Sequence, residues 1–131
     1  MIRRPLNERF TSAVLEGRKV TTIRDKPWPV DKPIMLFRWE GKPYRSKQVE
    51  IAPVVVEETT DIEITNTGFG CVFSVTYVSN RPLFGTEGFR DSIELHNWFA
   101  AVVPQGQTVT KALMRFRLAT PEDINPNPVK P

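Results

Sequence analysis

Phe10, Ala13, Val14 and Gly17 recur at spacings of three and four, which places one apolar face on a short helix. Asn7 stands where it can cap that helix, Glu8 falls in its first turn, and Gly17 is placed to end it. So short a helix is stable only against other elements. The period then changes. Val20, Thr21, Thr22 and Ile23 are all β-branched and predict a strand. Ile34–Trp39 reads as another, apolar almost throughout. Val49–Glu58 is a valine-rich strand interrupted by Pro53, which marks an edge or a bulge. Thr60–Thr65 alternates as a half-buried strand. Cys71–Val78 predicts a further strand and Thr108–Leu118 the last one. Ile93–Ala101 is a second helix, with Ile93, Trp98, Phe99 and Val102 on its apolar face. Asp91 or Ser92 caps it, and Pro104-Gln105-Gly106 ends it.

The segments between are turns and loops. Lys26–Pro33 contains three prolines, which forbid regular pairing and stiffen it. Glu40–Pro43 is a turn, followed by the polar, basic and exposed Tyr44–Gln48. Asn66–Gly68 is a turn and Ser79–Phe89 a loop. From Ala119 the chain holds four prolines, which predicts a loose tail over 119–131 behind a single domain at 1–118. Strands dominate, with two short helices. This predicts an α+β, mostly β chain folded as a small closed or nearly closed barrel flanked by helices.

A length of 131 residues is that of one domain, long enough to bury a core without disulfides or metal. Hydrophobic residues at 40% and charged residues at 25% are ordinary for a soluble globular protein. The charge is uneven. Residues 1–50 hold twelve Lys or Arg against six Asp or Glu, whereas 51–131 hold six against nine. A basic half favours a phosphate-bearing partner. Cys71 is the single cysteine and reads as a small buried hydrophobe. No run approaches ~18 apolar residues, which predicts no membrane span. The first residues lack the apolar core of a signal peptide, so a cytoplasmic location is expected. The only histidine, His96, has no partner at ligand spacing and reads as a surface or half-buried helix residue. No phosphate-cradling glycine loop, nucleophile elbow or zinc motif occurs, and neither cofactor nor metal is expected.

The densest chemistry lies in Gly17-Arg18-Lys19-Val20-Thr21-Thr22-Ile23-Arg24-Asp25, with three cations, two hydroxyls and a carboxylate in nine residues. One reading is an edge strand protected by charge. The run also resembles the ASCH domain, a family of PUA-like β-barrels associated with RNA and modified nucleosides, and locally the small N4-acetylcytidine amidohydrolases. Glu87-Gly88-Phe89-Arg90-Asp91-Ser92, leading into Glu94 and Trp98-Phe99, is similar to ASCH sequences as well. The resemblance covers about Asn7 to Leu118. It implies a PUA-like barrel whose polar pocket forms around Gly17–Asp25 and binds RNA or a nucleoside.

In the amidohydrolase branch the resemblance implies Lys19 as base, Thr22 as nucleophile and Glu87 as the acid or orienting group. A threonine hydroxyl needs a base to take its proton, and a lysine serves if burial or nearby cations such as Arg18 and Arg24 lower its pKa. Residues three apart in a strand face opposite sides, so Lys19 and Thr22 meet only if Lys19 lies in the turn. Arg18, Thr21, Arg24, Asp25 and Trp28 are the candidate ligand-binding residues. Trp28, between two prolines, either stacks on a base or seals the end of the barrel. Asp25 either pairs with a cation or bonds backbone. Three functions stay open: a pocket for RNA or a nucleoside, a hydrolase acting on acylated cytidine or RNA, and an interaction module without catalysis.

Overall fold

The computed structural model describes residues 1–125. In chain order the elements are β1 (Ile2–Pro5), a 3-10 turn (Glu8–Phe10) running into α1 (Thr11–Leu15), β2 (Thr21–Arg24), β3 (Pro33–Trp39), β4 (Gln48–Asn66) and β5 (Cys71–Phe73). There follow β6 (Tyr77–Val78), β7 (Arg81–Pro82), α2 (Leu83–Thr86), α3 (Ser92–Ala100), β8 (Thr108–Leu118) and α4 (Pro121–Ile124). The fold is α+β and mostly strand. Six strands form one mixed sheet in the order β1-β3-β4-β8-β2, with β5 on β4, while β6 and β7 pair apart from it. β1 runs parallel to β3, and the other ladders are antiparallel.

β4 replaces the two strands expected at Val49–Glu58 and Thr60–Thr65. Its 19 residues run unbroken past Pro53. The bends that a break would have supplied are made by ladder steps instead. Ile51 is skipped in the pairing with β3 and Glu57 in the pairing with β8, and such bulges bend and twist a strand. β4 can therefore serve β3 at its start, β8 through its middle and β5 at its end.

The expected barrel is not closed. β1 and β2 are the free edges of the sheet, and no ladder joins them. The Arg24 guanidinium spans the gap, with Nη2 donating to the Pro5 carbonyl at 2.9 Å.

Ile34, Leu36, Val54, Val56, Ile62, Ile64 and Met114 of the sheet pack in one core with Phe10, Val14 and, from α3, Leu95 and Phe99. Each such side chain contributes roughly 1.5–3 kcal/mol on burial. Asp91 accepts from the Glu94 backbone at 2.9 Å and caps α3, as expected.

The strand expected through Val78 stops at Phe73. Ser79 and Asn80 both adopt positive φ (50° and 64°), the conformation a tight hairpin needs, so β6 turns back on β7. The expected loop at Ser79–Phe89 thus contains β7 and the helical turn α2. The stretch from Ala119, expected as a tail, includes α4. Thr120 and Asp123 cap it reciprocally, and Arg117 Nη1 holds Asp123 at 2.7 Å. The remainder of that stretch, 126–131, lies outside the described residues. Among the described residues no helix is long and apolar enough to cross a membrane.

Candidate functional site

Gly17 ends α1 in the left-handed region (φ +74°), and the chain reverses there. The Arg18 and Lys19 amides both donate to the Ala13 carbonyl, at 2.8 and 2.9 Å. Lys19 therefore sits in the turn, two residues before β2 begins. This is the condition under which it shares a cavity with Thr22. The Val20 amide bonds the Thr86 carbonyl and the Val20 carbonyl accepts from Phe116, which pins the turn between α2 and β8.

The cavity has a volume of about 220 Å³. Its polar wall is Lys19, Thr22, Arg24 and Glu87, with Asn7 at one side. Its apolar wall is Leu6, Phe10, Ile23, Phe89, Trp98 and Phe99.

Lys19 is only 3% exposed. Its Nζ donates to the carbonyls of Thr21 (2.7 Å) and Glu87 (2.9 Å). It lies 3.9 Å from Glu87 Oε1 and 4.7 Å from the centre of the Phe10 ring. Burial draws its pKa down to about 8. The Glu87 carboxylate opposes that shift, and the Arg24 charge adds to it. In the neutral amine two N–H groups serve the two carbonyls, and the lone pair is left over.

Glu87 is buried and held from the other side by Thr21, whose Oγ1 donates to Oε2 at 2.5 Å. Thr86 Oγ1 stands 3.0 Å from Thr21 Oγ1 and 3.1 Å from the Leu83 carbonyl. Arg24 Nε donates to Thr22 Oγ1 at 3.0 Å, and its guanidinium lies 4.8 Å over the Trp28 ring. Burial lowers the Arg24 pKa, Glu87 opposes the shift and Arg4 reinforces it; a guanidinium nonetheless stays charged. Thr22 thus accepts from a cation, while among the described residues its own proton has no acceptor.

The structure therefore gathers Lys19, Thr22, Arg24 and Glu87 in one wall, with Thr21 bonded behind it. The Lys19 amine and the Thr22 hydroxyl are not hydrogen-bonded to each other. Arg18 points away, is exposed and pairs with Glu16. Asp25 is exposed and pairs with Lys111, which holds its carboxyl below the usual range. It lines an adjoining depression of about 340 Å³ that shares Ile23, Arg24, Trp98 and Phe99 with the cavity. Trp28 is 6% exposed and belongs to the core. Of the two readings of that ring, the structure shows it packed inside and not lining the cavity.

The aromatic wall is what the sequence pattern missed. Trp98 is 36% exposed at the mouth, 5.5 Å from Phe10 and 5.7 Å from Phe89. Arg9 lies over all three rings at 5.0–5.7 Å. Helical periodicity assigns such residues to a core, and the signal that sets them apart is Glu87-Gly88-Phe89. Gly88 takes φ +92°, and a Cβ there would meet Phe10 at 3.1 Å and Lys19 at 3.3 Å, so the chain must pass close to build this wall.

Among the described residues no group of three His, Cys, Asp or Glu could hold a metal ion. His96 Nδ1 instead accepts from the Cys71 amide at 3.3 Å, and Cys71 is buried. Comparison with family models, with curated proteins and with solved structures finds no match to this chain.

Proposed function

We propose that this cavity binds a nucleobase-like ring, presented by RNA or by a modified nucleoside. The observation that carries the reading is that one cavity is lined by two unlike sets of side chains. Donors (Lys19, Arg24, Thr22) and an acceptor (Glu87) share its lining with the rings of Phe10, Phe89 and Trp98. A flat heteroaromatic ligand needs both: its edge is read by hydrogen bonds and its faces by aromatic packing. A volume near 220 Å³ lies below the ~300–1,000 Å³ of drug-sized pockets and suits one ring system. The resemblance to ASCH domains and the basic N-terminal half point the same way. Calorimetric titration with the common nucleosides and with N4-acetylcytidine tests it. Saturable binding is expected in the wild type, weakened at least tenfold in Trp98→Ala. Silence from every nucleoside up to about 1 mM, where binding is worth only about 4 kcal/mol, contradicts it.

A second reading, hydrolysis of an acylated cytidine, is favoured by one feature: the Thr22 hydroxyl accepts from the Arg24 guanidinium within the cavity that holds the low-pKa Lys19. There, neutral Lys19 would take the Thr22 proton as the oxygen attacks the acyl carbon. The leaving cytidine amine would receive that proton from the lysinium, with Glu87 orienting it, and water would then release the acyl group. It ranks second because the Lys19 amine bonds two carbonyls and not Thr22. Release of cytidine by wild type but not by Thr22→Ala supports it, and equal rates in both remove it.

A further inference from the structure

Away from the cavity, the turn between β3 and β4 carries a second concentration of aromatic and basic groups. Phe37, Trp39 and Tyr44 form a continuous row that runs from a buried ring out to an exposed one, with centroids 5.2 Å apart at each step. Arg3 lies 5.4 Å over the Phe37 end. At the other end Tyr44 is 87% exposed yet held in place. Its φ is +65°, which a bulky side chain rarely adopts. The loop around it is tied by Glu40 N to Lys47 O at 2.9 Å, by Gly41 N to Ser46 Oγ at 2.9 Å and by Ser46 Oγ to the Lys42 carbonyl at 2.9 Å.

Lys42, Arg45 and Lys47 flank Tyr44 in the sequence, all exposed. Among the described residues none of the three is in an ion pair. The acidic groups nearby are Glu40 in the turn and Glu50, which is engaged by Arg3. A tyrosine that only covered Trp39 would bury its own face, whereas here the ring is offered outward on a rigid turn between unpaired cations.

We propose that this turn is a binding surface for single-stranded nucleic acid, with one base stacked on Tyr44 and the neighbouring phosphates contacted by Lys42, Arg45 and Lys47. Stacking on an aromatic platform beside a basic track is tolerant of sequence. It is also salt-dependent, because each neutralised phosphate releases counterions. An acidic protein would be met by the cations but gains nothing from an exposed tyrosine face, so the nucleic acid fits better. The surface does not rest on the cavity reading, since it shares no residue with that site.

Fluorescence anisotropy of labelled oligo(U) and oligo(dT) with the full chain, at two salt concentrations, tests the proposal. Tyr44→Ala is expected to weaken binding about tenfold, within the range for a stacked base, and Tyr44→Phe to retain it. Replacing Lys42, Arg45 and Lys47 by Gln is expected to flatten the slope of log affinity against log salt by about 2. Thr110→Ala, exposed on β8 and outside both sites, leaves both readouts unchanged. Preference for oligo(U) over oligo(dT) or the reverse identifies the natural strand. Absence of binding at low salt overturns the proposal. So does a folded Tyr44→Ala that binds like the wild type, or heparin binding as tight as oligonucleotide binding with the same variants, because the turn would then attract polyanions in general. Nucleoside titration into Tyr44→Ala reads the cavity separately, so failure at one site is distinguishable from failure at the other.

Discussion

Lys19 is the residue whose surroundings cost the most and reveal the most. An ammonium with 3% exposure is tolerated because two carbonyls accept its protons and Glu87 stands nearby, yet burial still dominates and brings its pKa to about 8. An ordinary lysine titrates near 10.5. Between those values the unfolded chain keeps the proton and the folded chain has released it, so stability rises with pH across that window. The full span corresponds to about 3 kcal/mol. Urea denaturation from pH 7.5 to 10.5 is expected to show that rise in wild type and to lose most of it in Lys19→Met. Equal pH slopes in the two proteins would mean that the amine titrates normally.

At the scale of elements, the site depends on three joints: the Gly17 turn, the start of β2 and the Gly88 passage after α2. The last is the tightest. At Gly88 a side chain would be strained by φ +92° and would press on Phe10 and Lys19. Gly88→Ala is expected to lower stability by about 1–3 kcal/mol and to shift the resonances of the Lys19 and Phe10 side chains. A variant with wild-type stability and spectrum would show that the wall is not held at this point.

Much of this was legible beforehand because it is local. The Asp91 cap, the Gly17 stop and β8 all follow from short-range patterns, whereas the grouping of Lys19 and Thr22 with the distant Glu87 was implied only by a family resemblance. The continuity of β4 did not, since two bulges replaced the break that Pro53 suggested. Nor did the role of Trp98, because an apolar face does not say whether it meets a core or the rim of a cavity. Trp28 shows the same ambiguity resolved the other way, as it packs inside beneath Arg24.

At the scale of the molecule, Arg24 is where site and architecture meet. One guanidinium bonds Thr22 in the cavity wall and Pro5 on the opposite free edge of the sheet. It is the link between β1 and β2 that no ladder provides. Arg24→Gln is therefore expected to speed amide hydrogen exchange along Ile2–Pro5 and Thr21–Arg24 while leaving the centre of β4 protected. Uniform protection in both proteins would show the edges held by packing alone.

The central claim, a base-sized ligand gripped between Lys19, Thr22, Arg24 and Glu87 and the ring of Trp98, is tested most directly by mapping amide and indole shifts as a nucleoside is titrated into the labelled protein. The account predicts saturable shifts concentrated at Lys19, Thr22, Glu87 and the Trp98 indole. Shifts that never saturate, or that gather elsewhere and leave those four still, would contradict it.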